Sequence, residues 1–79
     1  MYANYVKAIQ SNLEKLIADG TDAPAIAATR GMLSDMIYEE YKYVLSVASG
    51  GTMDALITVT AGRLGIDRDM VKDAIPVSY

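Results

Sequence analysis

Residues 23 to 48 read APAIAATRGMLSDMIYEEYKYVLSVA, and the spacing of apolar positions in this stretch decides the fold. One row runs at steps of seven, four, four, three and four through Ile26, Leu33, Ile37, Tyr41, Val44 and Ala48. A second row holds Ala25, Ala28, Met32, Met36, Tyr43 and Val47. The polar row between them is narrow: Gly31, Asp35, Glu39, Lys42, Ser46 and Ser49. Such steps put each row on one stripe of a 3.6-residue turn, so the stretch predicts a helix of about 39 Å. Thr21 and Asp22 are candidate caps for its first free amides, and Pro24 suits the first turn. A helix apolar over more than half its circumference is covered on more than one side. Short neighbouring helices can hide part of it; a second subunit is the natural cover for the rest.

On the N-terminal side, Tyr2, Val6, Ile9, Leu13 and Leu16 form one stripe, widened by Tyr5 and Ile17, and Gly20 supplies a stop. A helix over 2–19 follows. On the C-terminal side Gly50-Gly51 breaks the long helix, and Thr52 caps a third over 53–64 with Asp54 in its first turn. Gly65 ends that helix, Asp67 caps a fourth over 68–75, Pro76 closes it, and Val77 to Tyr79 form a tail. The β-branched run Ile57-Thr58-Val59-Thr60 has strand character, but a lone strand would find no partner elsewhere in the chain. The expectation is an all-α fold: a small single-domain bundle of about four helices (2–19, 23–48, 53–64, 68–75) around the long central one.

Totals narrow the function. Seventy-nine residues form a small core, and small domains often add disulfides, a metal or a partner to offset the entropy of ordering. The chain has no Cys and no His, which removes disulfides, thiolate sites and the commonest zinc ligand. Apolar residues make up 52 % of it, above the usual ~45–50 %. Five Met and six Tyr, with no Phe or Trp, suit surfaces that meet a partner as well as they suit a small core. The net charge of −3 disfavours nonspecific attraction to phosphate or anionic lipid. No apolar run approaches ~18 residues and no signal peptide is visible, so neither membrane span nor export is expected. The cytosol, of a cell or of an infected host, is the simplest location.

Residues 57 to 76 read ITVTAGRLGIDRDMVKDAIP. Ala61 provides a small residue where a second helix packs close, Gly65 follows four residues later at a turn, and Leu64, Ile66, Val71 and Ala74 anchor the inside. This pattern resembles the bihelical helix-turn-helix motif. The resemblance implies a packed C-terminal corner and, in a DNA-binding regulator, contacts from Arg63, Arg68 and Lys72. The outer face argues against nucleic acid. Asp67, Asp69 and Asp73 surround Arg68 and Lys72, and residues 52 to 79 carry four acids against three bases. Phosphate would be repelled about as strongly as it is attracted, and dimerisation would double both charges together.

Other clusters carry less chemistry. Asp35, Glu39 and Glu40 read as the solvated edge of a helix with Lys42 beside Glu39, because no His, Cys or glycine-rich phosphate loop accompanies them. Gly31 inside the long helix permits a close approach or a bend. Arg30 lies near an apolar row, either with its stem along the core and its head in solvent or as an interface ion pair. Tyr38, Tyr41 and Tyr43 project at three angles, so at least one faces outward.

These features favour a non-enzymatic protein-interaction module without cofactor or metal. It would bind another protein, itself, or both, as a small acidic inhibitor, adaptor or assembly factor of a type common among phage and mobile-element proteins. Met32, Met36, Tyr38, Tyr41 and Tyr43 are the expected contact residues. A small DNA-binding regulator using residues 57 to 75 is the alternative, and an enzyme or small-ligand binder, with a pocket between subunits around Arg30 and the tyrosines, is the third.

Overall fold

In a computed structural model describing residues 2–48 and 50–76, four helices follow one another: α1 (Tyr2–Ala18), α2 (Ala23–Val47), α3 (Met53–Leu64) and α4 (Arg68–Ala74). The expected elements are all present, with ends within one residue of their predicted positions. Ser49 of the polar row and the tail from Val77 to Tyr79 lie outside the described residues.

The punctuation behaves as its chemistry dictates. Gly20 takes a left-handed backbone (φ 70°) and ends α1, with the amide of Thr21 donating to Leu16 O at 3.0 Å. Gly65 does the same for α3 (φ 67°), and the Ile66 amide closes the turn on Ala61 O at 3.1 Å. The Thr52 hydroxyl accepts from the Ala55 amide at 3.2 Å, a capping bond for α3. At the start of α2 the expectation needs correction. Asp22 holds the capping position, but its side chain accepts no capping bond. The first turn there relies on Pro24 and on the Ile26 amide donating to Asp22 O at 3.3 Å. Asp67 likewise precedes α4 without a side-chain bond.

α1 and α2 form a long antiparallel hairpin, and α3 and α4 fold back over one part of it. The core draws Val6 from α1, Leu33, Ile37, Tyr41 and Val44 from α2, Leu56, Ile57, Ala61 and Leu64 from α3, and Val71 and Ala74 from α4. Partly buried Ile9, Leu13, Met36, Ile66 and Met70 pack around them. Thr29 and Thr60 are buried with their hydroxyls donating one turn back, to Ala25 O at 2.9 Å and Leu56 O at 2.7 Å. Their polar groups are thereby satisfied inside the helices. Gly31 meets nothing that a Cβ would touch, so it serves no close approach.

Coverage is uneven. The core and the apolar side chains packed on it reach Leu13 along α1 and Leu33 along α2, and no residue from Lys7 to Ala28 is buried. The molecule is accordingly elongated, 44 × 29 × 16 Å, with a radius of gyration of 13.4 Å. A compact chain of this length would have about 11.6 Å. The accessible surface of 5333 Å² exceeds by roughly 700 Å² what a folded monomer of this mass exposes.

Candidate protein-interaction surface

The two apolar rows of α2 have different fates. The first row supplies the core through Leu33, Ile37, Tyr41 and Val44. The second remains largely outside: Met32 is 57 %, Tyr43 50 % and Val47 64 % exposed. Leu45, on the opposite flank, is exposed as well. A flank of this kind is what a partner covers.

Of the five expected contact residues, Met32 and Tyr43 stand on this flank. Met36 and Tyr38 are half-buried against the core. Tyr41 is only 7 % exposed and belongs to the core, because its row is the one that α3 and α4 close over. Its ring stacks on Tyr38 with centroids 6.4 Å apart, and the Lys42 ammonium lies 4.9 Å from the Tyr38 ring centre. The three tyrosines thus occupy three environments, as their angles require. Val47 and Leu45 are exposed apolar residues outside the expected set. Val47 shares the second row with Tyr43 one turn away, which is the sequence signal for it; Leu45 lies on neither row.

Beside Tyr43 lies an ion pair that corrects the expectation for Glu40. Glu40 is not part of a solvated edge: it is 5 % exposed, and Arg63 Nε donates to its Oε2 at 2.8 Å. The reason is helical phase. Glu40 is seven residues beyond Leu33, nearly two full turns, and so sits on the core stripe. α3 crosses there and delivers Arg63. The guanidinium of Arg63 also lies 5.2 Å from the Tyr43 ring centre, a cation–π distance. The hydrogen bond to Glu40, and then its charge, hold the Arg63 pKa above the ordinary arginine value. A raised basic pKa stabilises the fold at every pH below that ordinary value and loses its effect only above it. Tyr2 joins Glu40, Tyr43 and Arg63 around an open cleft of about 340 Å³. The true solvated edge holds Asp35 and Glu39, with Lys42 Nζ 2.7 Å from Glu39 Oε1 as expected.

At the C-terminal corner, Ala61, Leu64, Val71 and Ala74 are buried and Ile66 packs on them. Outside, Arg68 pairs with Asp54, binding the first turn of α4 to the first turn of α3. Two of the three bases considered for nucleic acid, Arg63 and Arg68, are therefore engaged by acids of the same chain. Lys72 lines a cleft of about 380 Å³ with Asp54, Asp69 and Arg68, a wall of mixed charge. Arg30 is exposed, enters none of the ion pairs among the described residues, and lines neither cleft. No group of three or more metal-ligating side chains occurs among the described residues, and no described helix is long and apolar enough to cross a membrane.

The chain matches no family model, no curated protein and no solved structure.

Proposed function

We propose that this chain is a non-enzymatic protein-interaction module that works as an oligomer of itself, an acidic inhibitor, adaptor or assembly factor of the cytosol. The observation that carries this reading is the exposure of the second apolar row of α2, at Met32, Tyr43 and Val47. A soluble monomer gains nothing from keeping one flank of its longest helix apolar. The elongated shape and the surplus surface support the same reading, since association is the available way to cover both. The DNA-binding alternative draws less support. Its contacts Arg63 and Arg68 are paired with Glu40 and Asp54, and phosphate would have to displace those carboxylates.

Sedimentation velocity across a wide range of protein concentration tests the proposal. A dimer or larger species, with weakened association when Tyr43 or Val47 is replaced by Glu, is the expected result. A strict monomer at every concentration overturns the homotypic part. A low-salt titration that shifts duplex DNA, with the shift abolished by Lys72→Glu, would favour the alternative instead.

A further inference from the structure

The cleft beside Tyr43 is assembled from three helices. α1 brings Tyr2, α2 brings Glu40 and Tyr43, and α3 brings Arg63, around about 340 Å³. That volume is at the small end of ligand sites and suits a side chain or two of a partner. Its two charges sit at different depths. The Glu40 side chain is only 6 % exposed, and its Oε2 accepts from Arg63 Nε at 2.8 Å. The Arg63 side chain is 42 % exposed, so the guanidinium is the outer of the two. It is fixed by that hydrogen bond and by the Tyr43 ring, whose centre lies 5.2 Å from Cζ. Its Nη1 and Nη2 donate to nothing among the described residues. A guanidinium holds its N–H donors in a rigid fork. The edge formed by Nη1 and Nη2 is one that takes a carboxylate through two parallel hydrogen bonds.

We infer that this cleft binds a carboxylate of a partner polypeptide, an Asp or Glu side chain or a C-terminal carboxylate, on the Nη edge of Arg63. The inference rests on the protein-interaction reading above and names the chemistry of the partner that meets Tyr43. Depth disfavours a cationic partner, because a Lys or Arg would have to pass the Arg63 charge to reach Glu40. Pairing decides which anion fits. Glu40 neutralises Arg63 at a distance, so a ligand is held by hydrogen-bond geometry at contact and not by a long-range field. Nucleic acid draws its affinity from many neutralised phosphates, and Arg63 is the one cation among the residues that line the cleft. A single planar carboxylate needs only the free Nη donors and leaves the Glu40 bond in place. The incoming carboxylate and Glu40 then share one guanidinium, and the negative charge of Glu40 opposes the ligand that Arg63 attracts. Arg63 therefore favours binding and Glu40 limits it, although both support the fold.

The test titrates the full chain, labelled with nitrogen-15, with the capped peptide Gly-Ser-Glu-Ser-Gly and with its Gln counterpart at constant ionic strength. The Glu peptide alone should give saturable amide shifts around Tyr43 and Arg63, with a Kd on the order of 1 mM for one anchored side chain. Arg63→Lys keeps the charge but loses the fork, and should weaken binding by about tenfold or more. Glu40→Gln keeps an acceptor for Arg63 Nε and removes the opposing charge, so it should tighten binding. That gain keeps the question answerable even if Arg63→Lys disturbs the fold, since a merely structural Glu40 would give no gain. Equal shifts with the Gln peptide, no saturable shift, or weaker binding in Glu40→Gln overturns the inference. So does a DNA oligonucleotide that moves the same amides at lower concentration than the peptide. If the peptide fails while Tyr43→Glu still breaks a wild-type dimer, this inference falls and the proposed function stands. A wild-type monomer that binds the Glu peptide removes the homotypic part of that function and supports the carboxylate site.

Discussion

The two ends of the α1–α2 hairpin obey the same sequence rules and reach different energies. At the end where α1 begins and α2 finishes, α3 and α4 close over the pair, and Ile37, Leu64 and Val71 lose essentially all contact with water. At the other end, around Gly20, the same stripes run on through Leu16, Ile17 and Ile26 with only each other for cover. Two helices side by side bury one seam; a third layer is needed to bury a face. The difference between the ends is thus one of layers and not of amino-acid type. Stability should concentrate at the closed end, and the hairpin end should contribute mainly when something covers it.

Replacing one leucine at each end gives the largest contrast. Leu64→Ala should cost about 2–5 kcal/mol through lost burial and a cavity, while Leu16→Ala at high dilution should cost about 1 kcal/mol. Urea unfolding monitored by circular dichroism measures both, and equal costs would break the comparison. The next effect belongs to the pair that joins α2 to α3. Arg63→Met leaves the buried Glu40 carboxylate without its partner. Its loss should lower stability in the same measurement by less than Leu64→Ala does, because Arg63 is half in water. The smallest effect has the opposite sign. Gly31 faces open space in the middle of α2, so Gly31→Ala should raise stability by about 0.5–1 kcal/mol and lift the melting temperature. It belongs to the polar row and not to the row of Met32 and Tyr43, so dimerisation should not change. A loss of association in that variant would place the interface on another face of α2.

Much of the fold was legible in the sequence because local signals and burial pattern agree. The steps through Tyr2, Val6, Ile9, Leu13 and Leu16, the left-handed glycines at 20 and 65, and the Thr52 cap are each local and each present in the structure. The surface was harder to read. That α2 carries apolar residues around most of its circumference was visible, but which of its two apolar rows would stay outside was not. Met32 and Tyr43 emerged exposed, and Tyr41 went into the core. Glu40 looked like its exposed neighbour Glu39 by composition, and only the arrival of Arg63 from a later helix makes its burial tolerable. Arg68 looked available to a ligand until α4 folded beside Asp54.

What the residues determined unaided is helical phase: where each helix starts and stops and which side chains share a stripe, because those depend on neighbours three and four positions away. What the tertiary structure alone decided is occupancy: which stripe receives a covering helix and which is left to water or a partner. That outcome depends on where α3 and α4 run out of length above a hairpin longer than they are, and no local pattern within α1 or α2 encodes it.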